Sequence, residues 1–156
     1  MAEDAKFEIP DLLSVTYSYH YGAITQFFQN LTRTPPRLQV SHCPACDLQF
    51  CPPRHHCQDC WGKTEWKDHS GEGTIESVVW AYWIPIDSPA REWVDPPYAY
   101  AAVRLDGCRN LLRTRVAGLD KRAPLPASTG RRGKLVVGSN PRGHLGDLEF
   151  HVSPHN

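Results

Sequence analysis

Apolar residues recur at two different periods along this chain of 156 residues. Ile24, Phe27, Phe28 and Leu31 fall at i, i+3, i+4 and i+7. Such a one-sided stripe predicts a short amphipathic helix ended by Pro35-Pro36, packed onto the rest of the chain or, as a second option, against a partner subunit. Upstream, Val15-Thr16-Tyr17-Ser18-Tyr19 has β propensity and predicts an extended arm. From Gly71 onward the signal changes to β-rich runs at 74–84, 98–105, 110–116, 134–137 and 148–152, broken by turn residues. The first run is apolar on both faces in its second half, from Val78 to Ile84. A strand apolar on both faces needs cover on both, from its own barrel or from another protein.

Asp106-Gly107 between the second and third runs is a hairpin signal. Five strands over about 80 residues predict a small barrel of the oligonucleotide/oligosaccharide-binding (OB) type. The helix that often joins the third and fourth strands of that fold is not expected, because residues 118–133 contain Pro124, Pro126, Gly130 and Gly133 and read as a loop. The expected fold class is therefore mainly β. An N-terminal arm and helix (1–40) lead into a rubredoxin-like ribbon (41–70), and a five-stranded OB-type barrel (71–156) follows.

The ribbon is predicted from chemistry. Cys43-Pro44-Ala45-Cys46 is followed, ten residues on, by Cys57-Gln58-Asp59-Cys60. Two C-x-x-C knuckles at this separation bring four thiolates to one tetrahedral ion, most often Zn²⁺. A complete set of protein ligands leaves no position for water or substrate, so the site is expected to be structural. Disulfide pairing is the competing reading. The opening Met-Ala-Glu-Asp-Ala-Lys has no apolar signal segment. No run approaches the roughly 20 apolar residues of a membrane span. The expected compartment is the cytoplasm, where thiols stay reduced and paired C-x-x-C motifs favour metal. His42, Cys51, His55 and His56 lie near enough in sequence to compete as ligands, but the four-cysteine set is already complete. Cys108, after the Asp106-Gly107 turn, reads as a free thiol. Between residues 41 and 70 aliphatic side chains are scarce, so the metal is expected to supply most of the stability of this segment.

Lys+Arg and Asp+Glu both number 17, for a formal net charge of zero. A lone nucleic-acid binder normally carries a basic excess, so this balance weighs against that class. Five Trp and six Tyr fill a small core or line a surface that a partner covers. The histidines, His144 and His151 among them, are scattered, and no nucleophile, base and oxyanion donors occur as a set. Two loops stand out. Residues 87–97 carry Trp93 among prolines and charges, either a contact residue or a ring folded back onto its own barrel. Arg131-Arg132-Gly133-Lys134 is a compact cationic cluster that could hold a phosphate or simply face solvent. Candidate partner or substrate contacts are Phe27 and Phe28 on the helix, Trp83 on the doubly apolar run, Trp93, Arg131 and Arg132.

Taken together, these features resemble a known family. A helix, the paired C-x-x-C knuckles, Trp66, and the Ser70-Gly71-Glu72-Gly73-Thr74-Ile75 lead-in to a barrel come in order. Pro97-Tyr98-Ala99-Tyr100-Ala101-Ala102-Val103-Arg104-Leu105-Asp106-Gly107 then precedes Leu111-Leu112. This arrangement is similar to the zinc-ribbon/OB-fold acyl-CoA-associated family, small companions of thiolase-like enzymes. The likeness covers about residues 20–118, and the C-terminal 35 or so residues depart from it. It implies a structural Zn²⁺ and a hetero-oligomer with a thiolase, a 3-hydroxy-3-methylglutaryl-CoA synthase, a thiolase-related aldolase or a ketosynthase-like acyltransferase. It also implies that the catalytic Cys and His lie on the partner, with possible acyl-CoA or acyl-substrate contact through the barrel. The aromatic-rich first barrel strand is similar to that of the small subunit of the bacterial phloroglucinol-type C-acetyltransferase. The expected role is a non-catalytic accessory or scaffold subunit of an acyltransferase complex. The alternative is a zinc-ribbon/OB module that binds single-stranded nucleic acid or acyl-CoA.

Overall fold

A computed structural model describes residues 20–120 and 128–154. The predicted arm at 15–19 and the part of the 118–133 loop that holds Pro124 and Pro126 lie outside the described residues.

The apolar stripe does form a helix, α1 (Thr25–Leu31), entered through a 3-10 turn at Gly22–Ile24. Its buried face is Phe27, Phe28, Asn30 and Leu31. Seven residues are too few for a helix to persist in water unaided, so tertiary packing must hold it. Tyr21 stacks on Phe28 with ring centroids 3.8 Å apart. A polar relay ties the helix to the next element. Asn30 Nδ2 and Gln26 Nε2 donate to Gln39 Oε1 at 2.6 and 3.0 Å. Gln39 Nε2 in turn donates to Asp68 Oδ1 at 2.9 Å, and Arg37 clamps the same carboxylate at 2.6 Å through two nitrogens. The Arg37 guanidinium, then Gln39, hold Asp68 below the usual carboxylate range.

Strands β1 (Gln39–Cys43), β2 (Leu48–Phe50) and β3 (Glu65–Asp68) form an antiparallel sheet in the order β2-β1-β3. Beyond it, β4 (Glu72–Ala81), β5 (Tyr98–Leu105), β6 (Leu112–Ala117), β7 (Arg132–Val137) and β8 (Leu148–Val152) close a barrel in the order β4-β5-β6-β8-β7. All pairings are antiparallel except β6 with β8. This is the five-stranded OB barrel anticipated from the turn spacing. Alternation sets its interior: Ala99, Ala101, Val103 and Leu105 of β5 point inward, as do Leu112, Thr114 and Val116 of β6. Thr114 is buried yet satisfied, its hydroxyl donating to Leu148 O at 2.8 Å. Closure of the barrel depends on glycine. Gly73 and Gly133 are register partners where β4 meets β7. A Cβ on Gly73 would lie 2.5 Å from Arg104 O, and one on Gly133 would collide with His151 O and the Phe150 ring.

The first barrel strand departs from expectation in one respect. A bulge between Ile75 and Ser77 shifts its parity, so that Ile75 and Val78 point inward and Val79 points out, 56% exposed. The strand ends at Ala81, and Tyr82, Trp83 and Ile86 continue into a loop at 74%, 73% and 80% exposure. The chain's own barrel therefore does not cover the outer face of this apolar run.

Candidate metal centre and ligand face

Each C-x-x-C knuckle sits at a chain reversal. The first follows β1, whose last residue is Cys43, and runs into β2; the second lies in the 55–64 hairpin, where Cys57 N–H donates to Gly62 O at 2.9 Å and Trp61 N–H to Cys57 O at 3.1 Å. The residue after each knuckle has a left-handed backbone, with φ of 53° at Asp47 and 61° at Trp61. Position after the second cysteine was the signal for this conformation, and sequence reading passed over it. Non-glycine residues pay roughly 1–2 kcal/mol for such a backbone, so the knuckle geometry must hold it in place. Asp47 is braced by His42, whose Nε2 lies 2.9 Å from Oδ1.

The four Sγ atoms of Cys43, Cys46, Cys57 and Cys60 all lie within 4.8 Å of one another, with Cys43 and Cys60 at 3.6 Å. A tetrahedron with Zn–S bonds of about 2.3 Å has S···S edges of about 3.8 Å, so the donor set fits such an ion. Their proton affinities are divided. Backbone N–H groups of Cys60 and Asp59 lower Cys57 to about 7. Hydrogen bonding with Cys60, then burial, pushes Cys46 up to about 12, and burial pushes Cys43 up. Four crowded sulfurs cannot all ionise against one another, and a bound cation removes that conflict. These four cysteines could thus hold a metal ion.

The nearby competitors stand apart from this cluster. His55 and His56 pack edge to face at 4.3 Å, and among the described residues neither joins the group of possible ligands. Cys51 and Cys108 are buried in the main core, where desolvation raises both thiols, Cys108 to about 11. Buried thiols of this kind are inert.

The other expected site residues do not come together. Phe27 and Phe28 belong to the main core, so the helical stripe is used within the chain itself. Trp83 is exposed. Trp93 folds back onto the barrel, where His144 stacks on it at 4.9 Å, nearly parallel, and the Arg142 guanidinium lies over its ring, 4.8 Å from the centroid. Arg132 is engaged by both oxygens of Asp106, at 2.6 and 2.5 Å, and Arg131 donates to Ser153 O at 2.9 Å. The cationic cluster is thereby largely spent on internal contacts.

Folding back, Trp93 walls a cavity of about 540 Å³ that sequence reading did not anticipate. It lies between the 87–97 loop, the outer face of β5 and β6, and the turn before β8. A hydrogen-bonded frame holds its rim. Buried Asp147 accepts from the backbone N–H groups of Arg142 and His144, and His144 Nδ1 accepts from Gly146 N–H at 2.9 Å. Arg115 reaches across, donating to Trp93 O at 2.6 Å and Gly146 O at 3.0 Å.

No protein-family model matches the chain, and no curated protein matches it. Solved structures do. One is described as the Ltp2-ChsH2(DUF35) aldolase: it is 20% identical with a TM-score of 0.63, over 87% of this chain and 98% of that one. A DUF35-family protein of unknown function from Sulfolobus solfataricus is 21% identical with a TM-score of 0.59, over 85% of this chain and 87% of that one. The mainly β architecture of short helix, four-cysteine ribbon and barrel is thus the DUF35 fold.

Proposed function

We propose that this chain is a non-catalytic accessory subunit of a thiolase-like acyltransferase assembly, with a structural Zn²⁺ on Cys43, Cys46, Cys57 and Cys60. The exposed apolar run from Val79 through Tyr82 and Trp83 to Ile86 carries this reading. Large apolar side chains grouped this way on a small protein mark a surface that another chain covers. A similar fold occurs in a DUF35 chain whose description pairs it with Ltp2 in an aldolase, which supports a hetero-oligomer here. In this reading residues 41–70 form a rigid docking unit and residues 71–156 the barrel. Trp83 forms the centre of the contact and Trp93 its edge. Phe27 and Phe28 act indirectly by seating the helix of the 1–40 unit, and Arg131 and Arg132 remain outlying contact candidates. The partner, a thiolase-like or ketosynthase-like subunit, supplies the nucleophile and base. A C-acetyltransferase of the phloroglucinol type is the narrower candidate. Among the described residues no helix is long and apolar enough to cross a membrane, and we assign the cytoplasm, where the thiols stay reduced.

Affinity purification from the native cells tests this. Wild-type chain should bring down a thiolase-like or ketosynthase-like protein in near-equal amount, through an interface of roughly 2,000 Å² or more. Trp83→Ala combined with Ile86→Ser should reduce that recovery at least tenfold, about 1.4 kcal/mol, while zinc content stays unchanged. Equal recovery by the variant, or no protein partner at all, overturns the reading.

A further inference from the structure

The cavity behind Trp93 occupies a particular place in the barrel. In barrel order, β5 and β6 are the second and third strands, the 82–97 segment joins the first to the second, and residues 138–147 join the fourth to the fifth. OB barrels bind ligands on the outer face of those two strands, between those two loops. Every one of these elements contributes to the cavity wall: Trp93 and Val94, Tyr98 and Tyr100, Arg113 and Arg115, His144 and Leu145. Its volume of about 540 Å³ lies within the 300–1,000 Å³ of small-molecule sites.

The chemistry of the wall is one-sided. It is mostly aromatic and aliphatic; its charged residues are Arg113 and Arg115, and no carboxylate lines it. Register pairs Arg115 with Tyr100 and Arg113 with Ala102, which puts both arginines on the outward face beside the tyrosines. Arg115 is committed to two backbone carbonyls, but Arg113 is exposed and makes no ion pair among the described residues. Because His144 Nδ1 accepts from Gly146 N–H, a neutral His144 carries its proton on Nε2 and is a donor as well. Arg113 and His144, both exposed and lining the cavity, thus offer hydrogens to a ligand that brings oxygen acceptors.

We propose that this cavity binds an organic carboxylate with an aromatic or branched apolar body. The carboxylate would face Arg113, and the apolar body would lie against Trp93, Tyr100 and Leu111. Charge complementarity selects the anion, and the apolar wall selects its body. A single-stranded nucleic acid is the less suitable occupant, because it needs a run of cations along a groove. Here one free arginine is available and no lysine lines the wall. The site belongs to this chain alone, so it does not depend on the accessory-subunit reading.

The test uses the zinc-loaded full-length chain with 2-naphthoate as probe, followed by calorimetry and ligand-observed NMR. One saturable site per chain is expected. Arg113→Gln should weaken binding about tenfold or more without changing the melting temperature, as loss of one charge-assisted hydrogen bond requires. Uncharged 2-naphthamide should bind the wild-type chain weakly to a similar degree, and acetate should not displace the naphthoate. Failure to saturate, or equal affinity of naphthoate for wild type and Arg113→Gln, overturns the proposal. So does competitive displacement of the probe by an oligothymidylate with steep salt dependence, which would make this a nucleic-acid face. A chain that binds naphthoate but brings down no partner upholds this site and overturns the accessory reading, and the converse result separates them the other way.

Discussion

The ribbon sheet buries Cys43, Phe50 and Cys57 as its own cluster, with Cys46 and Leu48 packed beside them. The barrel and helix share a far larger cluster that includes Phe27, Ile75, Val103, Leu112, Leu148 and Phe150. Both regions are sheets of mostly antiparallel strands, yet different forces hold them. In the barrel, alternation puts one side of every strand into a common apolar interior, and burial at about 25 cal/mol per Å² accumulates. In the ribbon too little apolar area is available, and four sulfurs in mutual contact are unfavourable until a cation joins them. The difference teaches where each region is vulnerable: one to a chelator, the other to a cavity.

Metal removal should separate the two most sharply. A strong chelator, or Cys57→Ser, should abolish amide hydrogen-exchange protection across the two knuckles, residues 43–64, since a structural zinc is worth roughly 10–16 kcal/mol of apparent binding energy. Barrel amides in β5 and β6 should keep most of their protection. Retained protection in the ribbon would show that the four-cysteine cluster does not need its ion. Phe150→Ala should act in the opposite region, costing about 3–5 kcal/mol in urea unfolding because Phe150 is fully buried at the seam beside Gly133. Zinc stoichiometry should remain unchanged, and a loss below 1 kcal/mol would mean the barrel core is not organised around this ring.

The smallest effect concerns the hairpin that ends β5. Arg132 holds the Asp106 carboxyl below its usual range, the hydrogen bond being the main cause. Because the folded form has the lower pKa, the contribution is complete at neutral pH and drains away as pH falls below about 4. Wild type should therefore lose melting temperature more steeply than Asp106→Asn between pH 6 and 3. Parallel curves would show that this exposed pair contributes nothing.

Much of this architecture was legible in one dimension because its signals are local. Ile24, Phe27, Phe28 and Leu31 marked the helix, and Asp106-Gly107 marked the β5–β6 turn, where Gly107 adopts a φ of 74°. The positions of Cys43, Cys46, Cys57 and Cys60 marked the metal centre, since two knuckles close in space whenever their hairpins form. The fate of the helical stripe was less legible. Periodicity shows that Phe27 and Phe28 share a face, but only the fold shows that their own core buries it. Trp93 illustrates the same limit. Its loop position left a contact role and folding back onto the barrel both open, while the stacking partners that decide it, His144 and Arg142, lie some fifty residues further along the chain.

The sequence by itself determined the fold class, the number and order of the barrel strands and the four-sulfur cluster, because turn chemistry, alternation and ligand spacing act over a few residues. Tertiary structure alone decided which side of the doubly apolar strand would face out, through a single bulge between Ile75 and Ser77. It also assembled the cavity from Trp93, Tyr100, Arg113 and His144, residues drawn from four separate segments. The physical reason is closure of the barrel. Pairing β4 with β7 and β6 with β8 brings distant loops to one face, and no local pattern encodes that meeting.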